Sequence, residues 1–153
     1  MAYAYSSLYQ IPATGVRFFT VYGPWGRPDM APFLFMNAIS NNQSIRVFNH
    51  GKLKRDFTYI DDIVNGLVYI LSAPPAGKVK HTLYNIGNSR PVELMEFIAE
   101  IESVTGKVAD KQMMDMQPGD VYHASADTSR LQQDFGYKPM ISVSEGIRRF
   151  HAW

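Results

Sequence analysis

No cysteine occurs in the 153 residues, so the chain has neither a disulfide framework nor a thiolate metal site. Its four histidines, His50, His81, His123 and His151, are scattered without metal-ligand spacing, and no metal is expected. No apolar run approaches the roughly 20 residues that span a bilayer. The first residues show neither a basic n-region nor an apolar h-region. Charge of either sign is nearly balanced, 15 Lys+Arg against 14 Asp+Glu, and the net charge of +1 gives no general field for attracting nucleic acid or membrane. No two glycines are separated by a single residue, so the dinucleotide fingerprint G-x-G-x-x-G is missing. These absences set the expectation: a soluble, cytoplasmic protein with no nucleic-acid or membrane partner. A hydrophobic content of 46% over this length suffices for one ordinary domain with a real core.

What is present centres on the stretch from Arg17 to Asp29, RFFTVYGPWGRPD. Val16, Phe18 and the pair Thr20-Val21 favour a half-buried strand over Val16 to Val21. Gly23-Pro24 and Arg27-Pro28 then rule out continued strand or helix, because proline fixes φ and restricts the residue before it. A loop leaving the end of a buried strand is where open α/β sheets place ligand contacts. Arg27 on such a loop suits a carboxylate or phosphate, which a guanidinium grips with two parallel hydrogen bonds; the alternative is a packed turn with a solvated arginine.

Around that stretch, Met1 to Gln10 reads as a helix with a Tyr5/Tyr9 pair, ended by Ile11-Pro12-Ala13-Thr14-Gly15. Pro32 fits the first turn of a second helix, with Phe35, Met36 and Ile39 on its inner face. Ile45 to Phe48 alternates as a strand, Asn49-His50-Gly51 is a turn, and Arg55 to Thr58 is expected to return as its hairpin partner. This unit carries Arg46, His50, Lys52, Lys54 and Arg55, with no aromatic stacking set that would make it a nucleic-acid module. Lys52 and Lys54 are expected on a solvated face. Asp61 and Asp62 resemble a catalytic pair but stand where acids cap a helix, and Ile63, Val64, Leu67, Ile70 and Leu71 follow at helical spacing, so capping is the expectation. Ala73 to Gly77 reads as a surface linker. Leu94, Phe97, Ile98, Ile101 and Val104 form the inner stripe of the clearest helix, opened by Gly87-Asn88-Ser89 and stopped by Gly106. Val108 to Met114 is a strand candidate, and Met113, Met114 and Met116 are expected to fill core. Asp127 is placed to cap a short helix, and Ser142 and Glu145 have capping-box spacing for the last.

Five motifs stand in order: RFFTVYGPWGRPDM from Arg17, RDFTYIDD from Arg55, YNIG from Tyr84, QPGD from Gln117 and ADTS from Ala126. In that order they resemble the C-terminal portion of NAD-dependent nucleotide-sugar epimerases of the extended short-chain dehydrogenase/reductase superfamily, most closely the UDP-glucuronate 4-epimerases. The resemblance implies an α/β fold: the last parallel strands of a Rossmann-type sheet plus a small α/β substrate-binding subdomain. Residues 1–153 then form a single fragment without the N-terminal NAD-binding half. In the family the first helix ends the one carrying a catalytic Tyr-x-x-x-Lys, and no tyrosine here has a lysine four residues later, so no catalytic residue is expected within the chain. Other readings are a nucleotide-sugar dehydratase or decarboxylase fragment, and a non-catalytic nucleotide-sugar-binding module.

Residue by residue, the resemblance implies that Phe18 and Phe19 line the nicotinamide end of NAD, which the missing half holds mainly. Thr20 matches the position touching the UDP-sugar, in the form seen where the sugar is acidic. Arg27 and Arg55 match arginines facing the diphosphate and sugar acid, and Val47 and Phe48 match the strand beside the uracil. Gln117 stands where many relatives place a phosphate-binding arginine, while Asp120 keeps its match to a nucleotide-side contact. The parent enzyme is expected to be a homodimer.

Overall fold

The computed structural model describes residues 1–76 and 80–153; Gly77, the last residue of the expected linker, lies outside the described residues. The chain begins with helix α1 (Ala2–Tyr9), closed by Gln10 in the left-handed region. The expected strand from Val16 to Val21 is two strands, β1 (Ala13–Phe18) and β2 (Thr20–Tyr22), broken at Phe19. The break lets one line of chain serve two partners: β1 pairs parallel with β6 (His81–Ile86), and β2 pairs parallel with β5 (Phe57–Tyr59). β5 is buried along its whole length, as strands covered on both faces are.

Helix α2 (Ala31–Ser40) starts with Pro32 in its first turn and buries Phe35, Met36 and Ile39, as the periodicity predicts. The expected hairpin does not form. β3 (Ile45–Phe48) pairs parallel with β8 (Lys111–Met114), while the returning segment divides at Asp56 into β4 (Lys54–Arg55) and β5. β4 pairs antiparallel with β7 (Val92–Glu93). The returning segment finds other partners: after the positive-φ turn at Asn49, His50 and Gly51, Lys54 N–H donates to Tyr122 O at 2.9 Å and Lys54 O accepts Ala124 N–H at 3.1 Å.

Helix α3 (Ile60–Ser72) carries both acids in its first turn, as expected, but corrects their capping role. The helix begins after Tyr59, so neither aspartate is the N-cap. Asp62 is almost fully buried and accepts the backbone N–H groups of Met140 (2.9 Å) and Ile141 (3.0 Å), and exposed Asp61 accepts from Arg149 at 3.2 Å. Helix α4 (Leu94–Thr105) buries Leu94, Phe97, Ile98 and Ile101 and ends at left-handed Gly106, as expected, but Glu93 and Glu96 form the capping box that starts it. α5 (Ser129–Phe135) follows Asp127, whose carboxylate accepts from Ser129 N–H, and α6 (Val143–Ala152) starts at Ser142, whose hydroxyl accepts from Glu145 N–H.

One core lies among α2, α4, α6, β3 and β5, with Phe57 stacked on Phe97 at 3.9 Å between ring centroids. A second, built on Ile63, Ile70, Tyr84, Ile86, Leu131 and Tyr137, joins α3 and α5 to β6. Met116 packs against the first core, but Met113 and Met114 do not fill it: β8 is an edge strand of this pair and both side chains are substantially exposed. The α/β class with parallel strands holds. Among the described residues no helix is long and apolar enough to cross a membrane, and no cluster of His, Asp or Glu could hold a metal ion.

Candidate functional site

A groove of about 630 Å³ opens between α2, β3, β4 and the 117–120 turn. Its floor is apolar, made by Phe35, Phe48, Leu53, Phe57 and Leu94, and its rim is polar, with Thr20, Asp29, Arg46, Arg55, Gln117 and Asp120. Each side of it has a local cause. Thr20 opens β2, and Asp29 follows the loop that turns at Gly23; both line the groove. Strand alternation in β3 sends Ile45 and Val47 toward the core and leaves Arg46 and Phe48 less buried. Gly119, at φ 82°, bends the Gln117–Asp120 turn over the opening, where Asp120 N–H donates to Gln117 O at 3.2 Å.

The polar rim is already partly paired. Arg55 donates from Nη2 to Asp120 Oδ1 at 2.6 Å and from Nη1 to its neighbour's carbonyl, Lys54 O, at 3.0 Å. The two side chains of that ion pair are only 16% and 29% exposed, so water screens it less than an ordinary surface pair. Arg27 grips Asp29 bidentately, at 3.1 Å from Nε and 2.5 Å from Nη2, and its side chain is 74% exposed. The hydrogen bond from Arg27 holds the Asp29 carboxyl below the usual carboxylate range.

Five of the residues singled out in the sequence therefore meet in the groove: Thr20, Phe48, Arg55, Gln117 and Asp120. The other four stand elsewhere. Val47 is fully buried in the core and does not line the groove. Arg27 lines a small neighbouring cleft with Tyr22 and Phe33 and reaches the groove only through Asp29. Phe18, half exposed at the end of β1, and Phe19, at the break, lie outside it. Sequence reasoning left Asp29 and Arg46 out of the site. The period-2 pattern of Ile45 to Phe48 carried the signal for Arg46, which shares the Phe48 side of the strand. Among the described residues Arg46 is the one arginine of the rim with no acidic partner.

Comparison with known proteins matches residues 1–87 to the NAD dependent epimerase/dehydratase family. The chain belongs to that family. Its relatives in the family include "Protein CapI" of Staphylococcus aureus, 46% identical over 167 residues, and a "Probable UDP-glucuronate 4-epimerase" of Rhizobium meliloti (strain 1021), 44% identical over 168. Both alignments take in all of this chain, against 50% and 49% of the relatives. The crystal structure of UDP-glucuronic acid 4-epimerase from Bacillus cereus, in complex with UDP-glucuronic acid and NAD, superposes with a TM-score of 0.91 at 31% identity, over 99% of this chain and 48% of that one. A UDP-glucose 4-epimerase from Thermotoga maritima, at 21% identity and a TM-score of 0.88, shares the fold. The chain thus spans about half the length of the curated relatives it matches, and the family places it in a Rossmann-type fold whose cofactor is NAD.

Proposed function

We propose that this chain is the substrate-binding portion of an NAD-dependent nucleotide-sugar 4-epimerase acting between UDP-glucuronate and UDP-galacturonate. The observation that carries the reading is the groove itself. It joins an apolar, aromatic floor that suits a flat base to a rim whose least exposed cation, Arg55, suits a diphosphate. The identity to UDP-glucuronate 4-epimerases over the whole chain supports it.

In this reading Phe48 lies under the uracil, Arg55 holds the diphosphate, Thr20 contacts the sugar, and Gln117 and Asp120 contact the nucleotide from the turn above. Arg27 acts on the same anion from the far side of Asp29. Epimerisation at C4 requires the nucleotide to stay anchored while the sugar turns over, so tight anchoring is the contribution of this half. NAD, when bound, supplies reversible hydride uptake. The chain's own residues fit only one end of that cofactor. Phe18 offers an apolar surface beside the site, and no glycine-rich strand-to-helix turn is present to hold a pyrophosphate. The acid–base pair is likewise expected from the other half.

The test is to express the chain joined to, and separately beside, the segment encoded upstream in its reading frame. The readout is conversion of UDP-glucuronate to UDP-galacturonate, with each half alone as control. Activity only when both halves are present supports the reading. Activity from this chain alone, or none from the pair when both fold and bind UDP-glucuronate and NAD, refutes it.

A further inference from the structure

Nothing in the proposed function uses Asp56, yet among the described residues no other carboxylate accepts as many hydrogen bonds. It has no exposed surface. Its two oxygens accept the backbone N–H groups of Asn88 (2.8 Å), Ser89 (2.9 Å) and Ala126 (2.8 Å) and the hydroxyl of Thr58 (3.1 Å). The packing leaves no slack: a Cβ on Gly87 would run into Ala126 and crowd Asp56 Oδ2 at 3.2 Å. Converging N–H donors of this kind call for a full negative charge, since a neutral amide would turn its own N–H groups toward them.

Several segments tied to Asp56 run into walls of the groove, although its partner Asn88 itself lines a second cavity. Its carbonyl accepts Thr20 N–H at 3.1 Å. Its chain neighbours Arg55 and Phe57 are a rim cation and part of the floor, and Asn88 Nδ2 donates to Phe57 O at 3.3 Å. Beyond Ser89 the chain enters β7, where Val92 pairs with Arg55, and then reaches Leu94 on the floor. The carboxylate therefore closes a ring of chain around Arg55 without lining the groove.

We propose that Asp56 is a positioning residue for ligand binding: its buried carboxylate, acting through Arg55, Thr20 and Phe57, sets the geometry of the anion-holding wall. This rests on the reading of the groove as a nucleotide-sugar site. Asp62 provides a matched comparison. It too is buried and accepts two backbone N–H groups, but its partners Met140 and Ile141 line only the second cavity, which Asn88 shares, and neither they nor Asp62's chain neighbours line the groove.

The experiment uses the full-length protein carrying Asp56→Asn or Asp62→Asn, with UDP and UDP-glucuronate as probes, well below each variant's melting temperature. Both substitutions are expected to lower that temperature. Asp56→Asn should also weaken UDP binding about tenfold and raise KM for UDP-glucuronate with a smaller change in kcat, whereas Asp62→Asn should leave UDP affinity within about twofold of the parent. Where Asp56→Asn does not fold, Thr58→Val is read instead: it deletes one of the four bonds and should cost about threefold in UDP affinity. Parent-like UDP binding in the folded Asp56 or Thr58 variant, or an equal loss in Asp62→Asn, overturns the positioning role. A parent that binds no UDP overturns the nucleotide-sugar reading and this role with it.

Discussion

Replacing Arg55 by alanine tests the groove most directly. In the free protein Arg55 is held by Asp120 at 2.6 Å and by Lys54 O at 3.0 Å, with little of either charged side chain in water. A diphosphate has to compete with Asp120 for the guanidinium, so the net gain is smaller than a free arginine would give. A hydrogen bond to a charged group is worth about 1.5–3 kcal/mol. Removing Arg55 forfeits that contact and also leaves the Asp120 carboxylate facing the phosphates without a counter-ion. Together these give about 2–4 kcal/mol, or roughly 30- to 1000-fold in affinity. The assay is calorimetric titration of the full-length protein with UDP. The double variant Arg55→Ala/Asp120→Asn serves as control, because it should recover the repulsive part of the loss. Arg27→Ala should cost less than Arg55→Ala, since Arg27 is exposed and acts through Asp29. Arg55→Ala binding UDP within threefold of the parent, with folding intact, would refute the assignment of Arg55 to the phosphates.

Arg46, the rim arginine without an acidic partner, should sense the same ligand. Arg46→Glu is expected to weaken UDP binding and to flatten its salt dependence, measured by titration at low and high ionic strength. Glu102 ties α4 to the strand beside β3: it accepts from Ala109 N–H at 2.8 Å and from Lys111 at 2.5 Å. Burial pushes its carboxyl up, but the Lys111 and Ala109 hydrogen bonds outweigh burial and hold it below the usual range. A lowered folded-state value stabilises above the unfolded one, so this contribution should vanish as pH falls through the carboxylate range, and Glu102→Gln should flatten that part of a stability-against-pH curve. The chain alone exposes Tyr3, Tyr5, Leu8 and Tyr9 on α1 and Phe18 at the end of β1. Expressed by itself it should therefore self-associate and bind a hydrophobic dye, and a monodisperse, cooperatively melting chain would count against that expectation.

Much of the architecture was legible because local periodicity and burial agree. The stripe of Leu94, Phe97, Ile98 and Ile101 is 3.6-periodic and is the face α4 buries, and Gly106 ends the helix because it alone takes a left-handed φ without strain. The same logic placed α2 and α6. The acids were harder. Asp61 and Asp62 read alike in sequence, and only the return of residues 140 and 141 to the foot of α3 makes one of them a buried acceptor and the other a surface partner of Arg149. Pairing was hardest of all. Ile45 to Phe48 is visibly a strand, but its partner lies more than 60 residues downstream and no pattern in either segment names the other.

By itself, then, the sequence determined the six helices and the approximate place of most strands, the apolar faces of the main helices, and, through five ordered motifs, which family the chain joins. Local propensity and spacing are written in neighbouring residues, and so they can be read there. Tertiary structure alone decided that Arg55 meets Asp120, which side of β3 is the groove side, and that Asp56 gathers N–H groups from two distant loops. Those outcomes depend on which groups converge through space. The energy of a charge or a hydrogen bond is set by its partners and its distance from water, and neither is a property of the residue alone.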